Sequence, residues 1–167
     1  MGDRLAVLHR GVVQQVGSPM EVYAQPANMV VARLLGSPPM NLAPCAFCRP
    51  DCIEVGEGVF RVTLARGQRI EPRGSVQSDD LVLGVRAENV RLSREALPGA
   101  RPVVADVVQS LGSEDIVSVT VGDAVWKVRA ACELRAREGD AFYLGVDPAR
   151  VHLFYGRTSD VAVEVQA

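Results

Sequence analysis

The chain has 167 residues, 48% hydrophobic and 23% charged, a globular composition with room for one ordinary domain or two small lobes. Twenty acidic and 18 basic residues leave a formal charge of −2, too weak and too scattered a balance for phosphate neutralisation, so nucleic acid is not an expected partner. Two histidines, one lysine and no long apolar run argue against a chain built for proton-transfer catalysis or for crossing a bilayer.

The opening stretch, MGDRLAVLHRG, does not read as a signal peptide. Asp3 and Arg4 precede an apolar run of only LAVL, and no small-residue cleavage site follows. RLAVL, residues 4–8, reads as a short buried strand and GVVQQV, 11–16, as a second, with His9-Arg10-Gly11 as a tight turn between them. The near-continuous apolar character of RLAVL is that of a strand covered on both faces, and nothing in the chain is expected to supply the second cover, which suggests a missing larger body. Ser18 then caps a helix, with Pro19 at its first position and Glu21 three residues after the cap. Pro26 stops that helix. Pro26-Ala27-Asn28 opens another, with apolar residues at 30, 31, 34 and 35, and Gly36 closes it.

After Asn41 helical spacing gives way to short strand-like runs: 60–64, 81–85, 102–111, 115–122, 124–130, 141–146 and 151–156. Turns at Gly122-Asp123 and Gly139-Asp140 separate several of them, and Val117, Val119 and Val121 alternate with Ser118 and Thr120. The predicted fold class is mainly β: a small antiparallel barrel of the oligonucleotide-binding (OB) shape, five-stranded, preceded by a strand pair and two short helices. The boundary falls between residues 1–41 and 42–167.

The run from Gly2 to Asn41 resembles the close of the nucleotide-binding domain in ABC-type import ATPases of the maltose, sugar-phosphate and oligosaccharide group. The match passes through Asp3, Arg4, Gly11, Gln15, Gly17, Pro19, Glu21, Tyr23, Pro26, Asn28, Val31, Ala32, Gly36, Ser37, Pro38, Met40 and Asn41. Downstream, GVRAENVRLS (84–93), VVQSLGSEDIVSV (107–119) and PARVHLFYG (148–156) resemble segments of the regulatory β domain called TOBE that follows in this family. The resemblance implies that LLGSPPMN is a joint. Gly36 ends the helix, Pro38 stiffens the exit, Met40 fills an irregular gap between lobes, and Asn41 closes the motif. The chain departs from the family at Ala87, Glu88 and Asn89, where Pro-Glu-His is usual, and at Val30, where an aromatic is common. Residues 45–73 match no specific family pattern.

The resemblance further implies a regulatory, dimer-forming region of an importer subunit. The full-length parent would use ATP and Mg²⁺, sit on the cytoplasmic face of the inner membrane and work with membrane permease subunits on a sugar or related solute. This chain itself offers no G-x-x-x-x-G-K-[ST] loop and no acidic strand end placed for magnesium, so no residue in it is given a catalytic role and no cofactor is expected. His9 is not the family's switch histidine, which lies upstream of the segment matching Gly2-Asp3.

CAFCRPDC offers thiols at Cys45, Cys48 and Cys52, the types and spacing of a metal half-site. A fourth ligand is not local, because Cys132 is distant, so reduced, partly buried cysteines are the expected state and a disulfide the least expected one in a reducing compartment. Arg86, Glu88 and Asn89 follow a strand, either as a contact with an ATPase partner or as a solvated loop. Gly112, Ser113 and Glu114 form a turn, and a ligand role for Glu114 rests on the resemblance alone. Trp126 reads as core rather than as a stacking platform, and His152, between Val151 and Leu153, as an outward-facing structural histidine.

Two functional classes follow. One is the regulatory part of an importer ATPase, expected to form a homodimer by exchange of residues 1–41 or by pairing of β domains. The other is a free-standing module for an oxyanion or a sugar.

Overall fold

A computed structural model describes residues 2–48, 52–56, 58, 60–64, 71, 73, 80–96 and 99–156. The chain begins with an antiparallel hairpin, β1 (Leu5–His9) and β2 (Val12–Gly17), turned through Arg10 and Gly11, both at positive φ. Helix α1 (Pro19–Ala24) starts as its sequence dictates. The Ser18 hydroxyl accepts the Glu21 N–H, and the Glu21 carboxylate accepts the Ser18 N–H in return. Helix α2 (Met29–Leu34) is capped by Asn28, whose side-chain oxygen accepts the Val31 N–H. One face of the hairpin packs Val7 against Val22 and Val31. On the strand pair Leu8, Val12, Val13 and Val16 stay exposed. The apolar run RLAVL is therefore covered on one face only within the described residues, and its second face is open.

Among the described residues ten further strands follow: β3 (Asn41–Phe47), β4 (Cys52–Val55), β5 (Phe60–Thr63), β6 (Leu81–Val85), β7 (Val90–Ser93), β8 (Arg101–Ser110), β9 (Glu114–Val121), β10 (Ala124–Ala131), β11 (Ala141–Val146) and β12 (Val151–Tyr155). They form two five-stranded antiparallel sheets, ordered β12-β6-β3-β4-β5 and β10-β9-β8-β11-β7. The fold class is mainly β, a curled OB-like half-barrel preceded by short strands and helices. The single five-stranded barrel expected from the sequence is corrected to two sheets. The missing strands were hidden for physical reasons: β3 carries Pro44, which lacks a ladder donor, and β4 and β7 are four residues each.

The two sheets close on one core. Ile53, Phe60, Leu83 and Val85 from the first meet Val119, Trp126, Val128, Phe142 and Leu144 from the second. Strand β6 explains its own unbroken apolar sequence. Leu83 and Val85 face this core, while Val82 faces a second cluster with Met29, Ala32, Met40 and Phe154 that seats α2 on the outer side of the sheet. Gly84 lies between these residues. A Cβ there would sit 2.7 Å from both Met40 Sδ and Phe154 Cε2. Gly84→Ala should therefore cost about 1–3 kcal/mol through overpacking. Urea unfolding checks this, and an unchanged midpoint would mean that the α2 face is loosely packed.

Candidate functional site

The polar residues picked out by the sequence meet where α1 and α2 rest on the β domain. Arg86 is the first residue after β6, and only 3% of it is exposed. Its Nη2 donates to the Tyr23 carbonyl at 2.9 Å, and its Nη1 donates to the carbonyls of Ala32, at 3.1 Å, and Leu35. These oxygens belong to the last turns of α1 and α2, which have no further helical partners. One guanidinium thus caps both helices, with its charge at the favourable, negative ends of their dipoles. Arg suits this place because its planar fork serves several acceptors at once and can also stack. Its Cζ lies 4.0 Å from the centroid of the Tyr23 ring. Burial lowers the Arg86 pKa from its usual value.

The Tyr23 hydroxyl donates to Glu88 Oε1 at 2.5 Å, linking α1 to the short helical turn Ala87–Asn89. Burial first, and then this bond to a carboxylate, raise the Tyr23 pKa above its ordinary range. Gly36 is required by this arrangement. Its φ is +105, and a Cβ would stand 3.0 Å from the Pro38 carbonyl oxygen and 3.2 Å from Arg86 Nη1.

The joint continues through the cis Ser37-Pro38 bond and Met40 to Asn41. The Asn41 side chain donates to the Lys127 carbonyl at 2.9 Å and accepts the Lys127 N–H at 2.7 Å. This amide completes the backbone pairing of β10, the terminal strand of its sheet. Two strands of the chain's two sheets are thereby pinned at the exit of the joint. Arg129, also on β10, donates to the Ser37 carbonyl at 2.5 Å and lies 3.5 Å from Glu114 Oε1.

Arg86, Glu88, Gly36, Pro38, Met40 and Asn41 are accordingly brought to one junction, and Glu114 reaches it through Arg129. Asn89 is not drawn in: its backbone N–H bonds to the Arg86 carbonyl and its own carbonyl accepts the Asp147 N–H. Gly112 stays at the β8–β9 turn, where its carbonyl accepts the Cys132 thiol at 3.2 Å. Sequence reasoning assigned no role to Tyr23, Gln14 or Gln15. Gln15 bridges the helix connection, donating to the Gln25 carbonyl at 3.0 Å and accepting the Ala27 N–H at 2.9 Å, while Asn28 donates to buried Gln14 at 3.1 Å. For Gln15, Tyr23 and Asn28 the signal was their place in the motif. The Lys127 contact uses only its backbone, which no side-chain pattern reveals.

Two expectations are corrected. Cys48 and Cys52 are joined in a disulfide at the connected end of the β3–β4 hairpin, where the ladder brings their backbones together. Cys45 is free, and burial pushes its thiol up to about 12. Among the described residues no three His, Cys, Asp or Glu side chains converge as a metal site. His152 does not face outward. It is half-buried beside Phe154, and burial, with the charges of Arg73 and Arg86, lowers its pKa to about 4. Residues 1–41 contact the β domain through Arg86 and Asn41. Trp126, in contrast, is core as expected, with no exposed surface.

Residues 36–90 match the family described as the MalK OB fold domain, and residues 83–154 match the TOBE domain. The chain is 38% identical over 161 residues to the trehalose/maltose import ATP-binding protein MalK of Thermococcus litoralis, covering 92% of this chain and 42% of that protein. It is 32% identical over 162 residues to the sulfoquinovosyl glycerol transport ATP-binding protein SmoE of Agrobacterium fabrum, covering 95% and 43%. It is 31% identical over 158 residues to the sn-glycerol-3-phosphate import ATP-binding protein UgpC of Escherichia coli K12, again covering 95% and 43%. The chain thus spans about two-fifths of the length of these relatives. Among solved structures, the cytoplasmic molybdate-binding protein ModG superposes with a TM-score of 0.50 at 15% identity, over 70% of this chain and 96% of that one. That likeness is one of fold. Among the described residues no helix is long and apolar enough to cross a membrane.

Proposed function

We propose, from the premise that the chain belongs to the OB-fold and TOBE region of MalK/UgpC-type ABC-importer ATP-binding subunits, that it couples an ATPase body to a regulatory, subunit-pairing β domain. The chain lacks the phosphate-binding loop of the motor. In the full-length protein, residues 1–41 would close the nucleotide-binding domain and 42–167 would form the regulatory domain. ATP and Mg²⁺ would be used by the part upstream. The assembled subunit would lie on the cytoplasmic face of the inner membrane with permease partners, serving import of a sugar or related solute.

The single observation that carries this reading is the Arg86 junction. One cation holds the ends of both helices, and the Asn41 clamp fixes the joint's exit, so a displacement of the helices is passed to the β domain as a rigid movement rather than absorbed. The open outer face of the β1–β2 hairpin, with Leu8, Val13 and Val16 exposed, fits a place where the remaining ATPase body rests. A free-standing oxyanion module is favoured by the ModG likeness only at the level of fold. The cleft of about 560 Å³ beside β5 and β11 is lined by Arg61, which pairs with Glu54 at 3.1 Å, and by Arg91.

The reading calls for pairing of subunits, through the β domains or by exchange of residues 1–41. Light scattering at rising concentration should give twice the 17.9 kDa chain mass. A species of single-chain mass at the highest concentration rejects the dimer.

A further inference from the structure

We propose that Cys48 and Cys52 form a reversible thiol–disulfide exchange site at the connected end of the β3–β4 hairpin, with a small thiol of the glutathione class as its exchange partner. The strands bring the two cysteines together independently of their bond. Phe47 pairs with Ile53, and the Cys48 N–H donates to the Cys52 carbonyl at 2.9 Å, the next contact along the ladder. Their Cα atoms are 5.1 Å apart, well inside the range a disulfide spans. Both residues are half-buried rather than enclosed in the core, and exchange with a thiolate from solution needs only such partial access.

The bond closes a sequence separation of only 4, which restricts the unfolded chain little compared with a long loop. The backbone pairs from Cys45↔Val55 to Phe47↔Ile53 hold the hairpin without it. Both redox states therefore share one fold, the condition for reversible exchange. Cys45, on β3 three residues before Cys48, packs against the core instead. Burial keeps it a thiol at neutral pH, so it does not compete for either partner. Cys132 is occupied at the Gly112 turn.

In the reducing direction a small-molecule thiolate attacks one cysteine sulfur. The S–S bond breaks, and its electron pair leaves on the other cysteine, which takes up a proton. A second thiolate attacks the mixed disulfide at the small molecule's sulfur and releases the first cysteine, which is protonated in turn. Two small thiols are oxidised to their disulfide as the protein disulfide is reduced by two electrons, and the reverse sequence restores it.

The test equilibrates the whole chain with reduced and oxidised glutathione at graded ratios, quenches with acid, alkylates, and weighs the peptides. The Cys48–Cys52 pair should pass from a tenth to nine-tenths oxidised over about a hundred-fold change in [GSH]²/[GSSG], as a two-electron couple requires. The Cys45→Ser protein should titrate identically, and Trp126 emission should stay constant throughout. A pair that stays bonded in excess reduced glutathione, a pair that stays reduced at every ratio, or a titration altered by Cys45→Ser would each overturn the proposal.

Discussion

Arg86→Ala should destabilise the chain by about 3–5 kcal/mol, the range seen when one partner of a buried, charge-assisted network is removed. Four interactions end together: the bonds to the Tyr23, Ala32 and Leu35 carbonyls and the contact with the Tyr23 ring. The carbonyls cannot regain water freely, because α2 is packed on the sheet through Met29 and Ala32, and each buried orphan costs about 1–3 kcal/mol. Arg86→Lys keeps the charge but offers no planar fork, so it should recover less than half of the loss. Glu88→Ala breaks only the exposed bond to the Tyr23 hydroxyl and should cost about 0.5–1.5 kcal/mol. Urea midpoints at constant slope give the three values. A loss below about 1 kcal/mol for Arg86→Ala would mean that the helix ends are satisfied elsewhere and that the junction is not rigid.

The same residue shows what the sequence could and could not tell. Arg86 was legible as a candidate because it sits in a segment resembling the TOBE family, but the solvated-loop reading differs from the structure, where Arg86 is buried. The side chain turns inward to the chain's own helices. Helix carbonyls are backbone groups and leave no mark in a residue pattern, so their need for a cation could not be read in advance. Start and stop signals were legible for the opposite reason. Ser18, Glu21 and Asn28 act within a few residues of themselves, and local chemistry fixes local geometry. The two-sheet arrangement was not legible, because β3 pairs with β6, 36 to 44 residues away in sequence, and carries Pro44, while β4 is only four residues long. His152 failed by the same rule. Alternation along β12 placed it correctly opposite Leu153, but alternation cannot say that the second face of the sheet is covered as well.

Trp126→Ala should cost about 3–5 kcal/mol, the usual consequence of emptying a large aromatic site that cannot collapse. Trp126 stands on β10 and meets Phe60 of β5 edge to face, with ring centroids 6.3 Å apart at 78°. It therefore joins the inner faces of the two sheets, and both sides of its site are stiff strands. Its neighbour Lys127 is the residue gripped by Asn41, so the position of the joint is referred directly to this part of the core. Trp126→Phe separates packing from polarity. The indole Nε1 has no hydrogen-bond partner among the described residues, so phenylalanine loses volume but also removes a buried orphan donor, and the net cost should fall to about 1–2 kcal/mol. Because Trp126 is the one tryptophan, its fluorescence reports its own burial. Emission should be blue-shifted and resistant to acrylamide in the native chain and should move to the red only with unfolding. Ready quenching in the native state, together with an alanine variant as stable as the parent, would place the ring on the surface and undo the argument that the two sheets close around it.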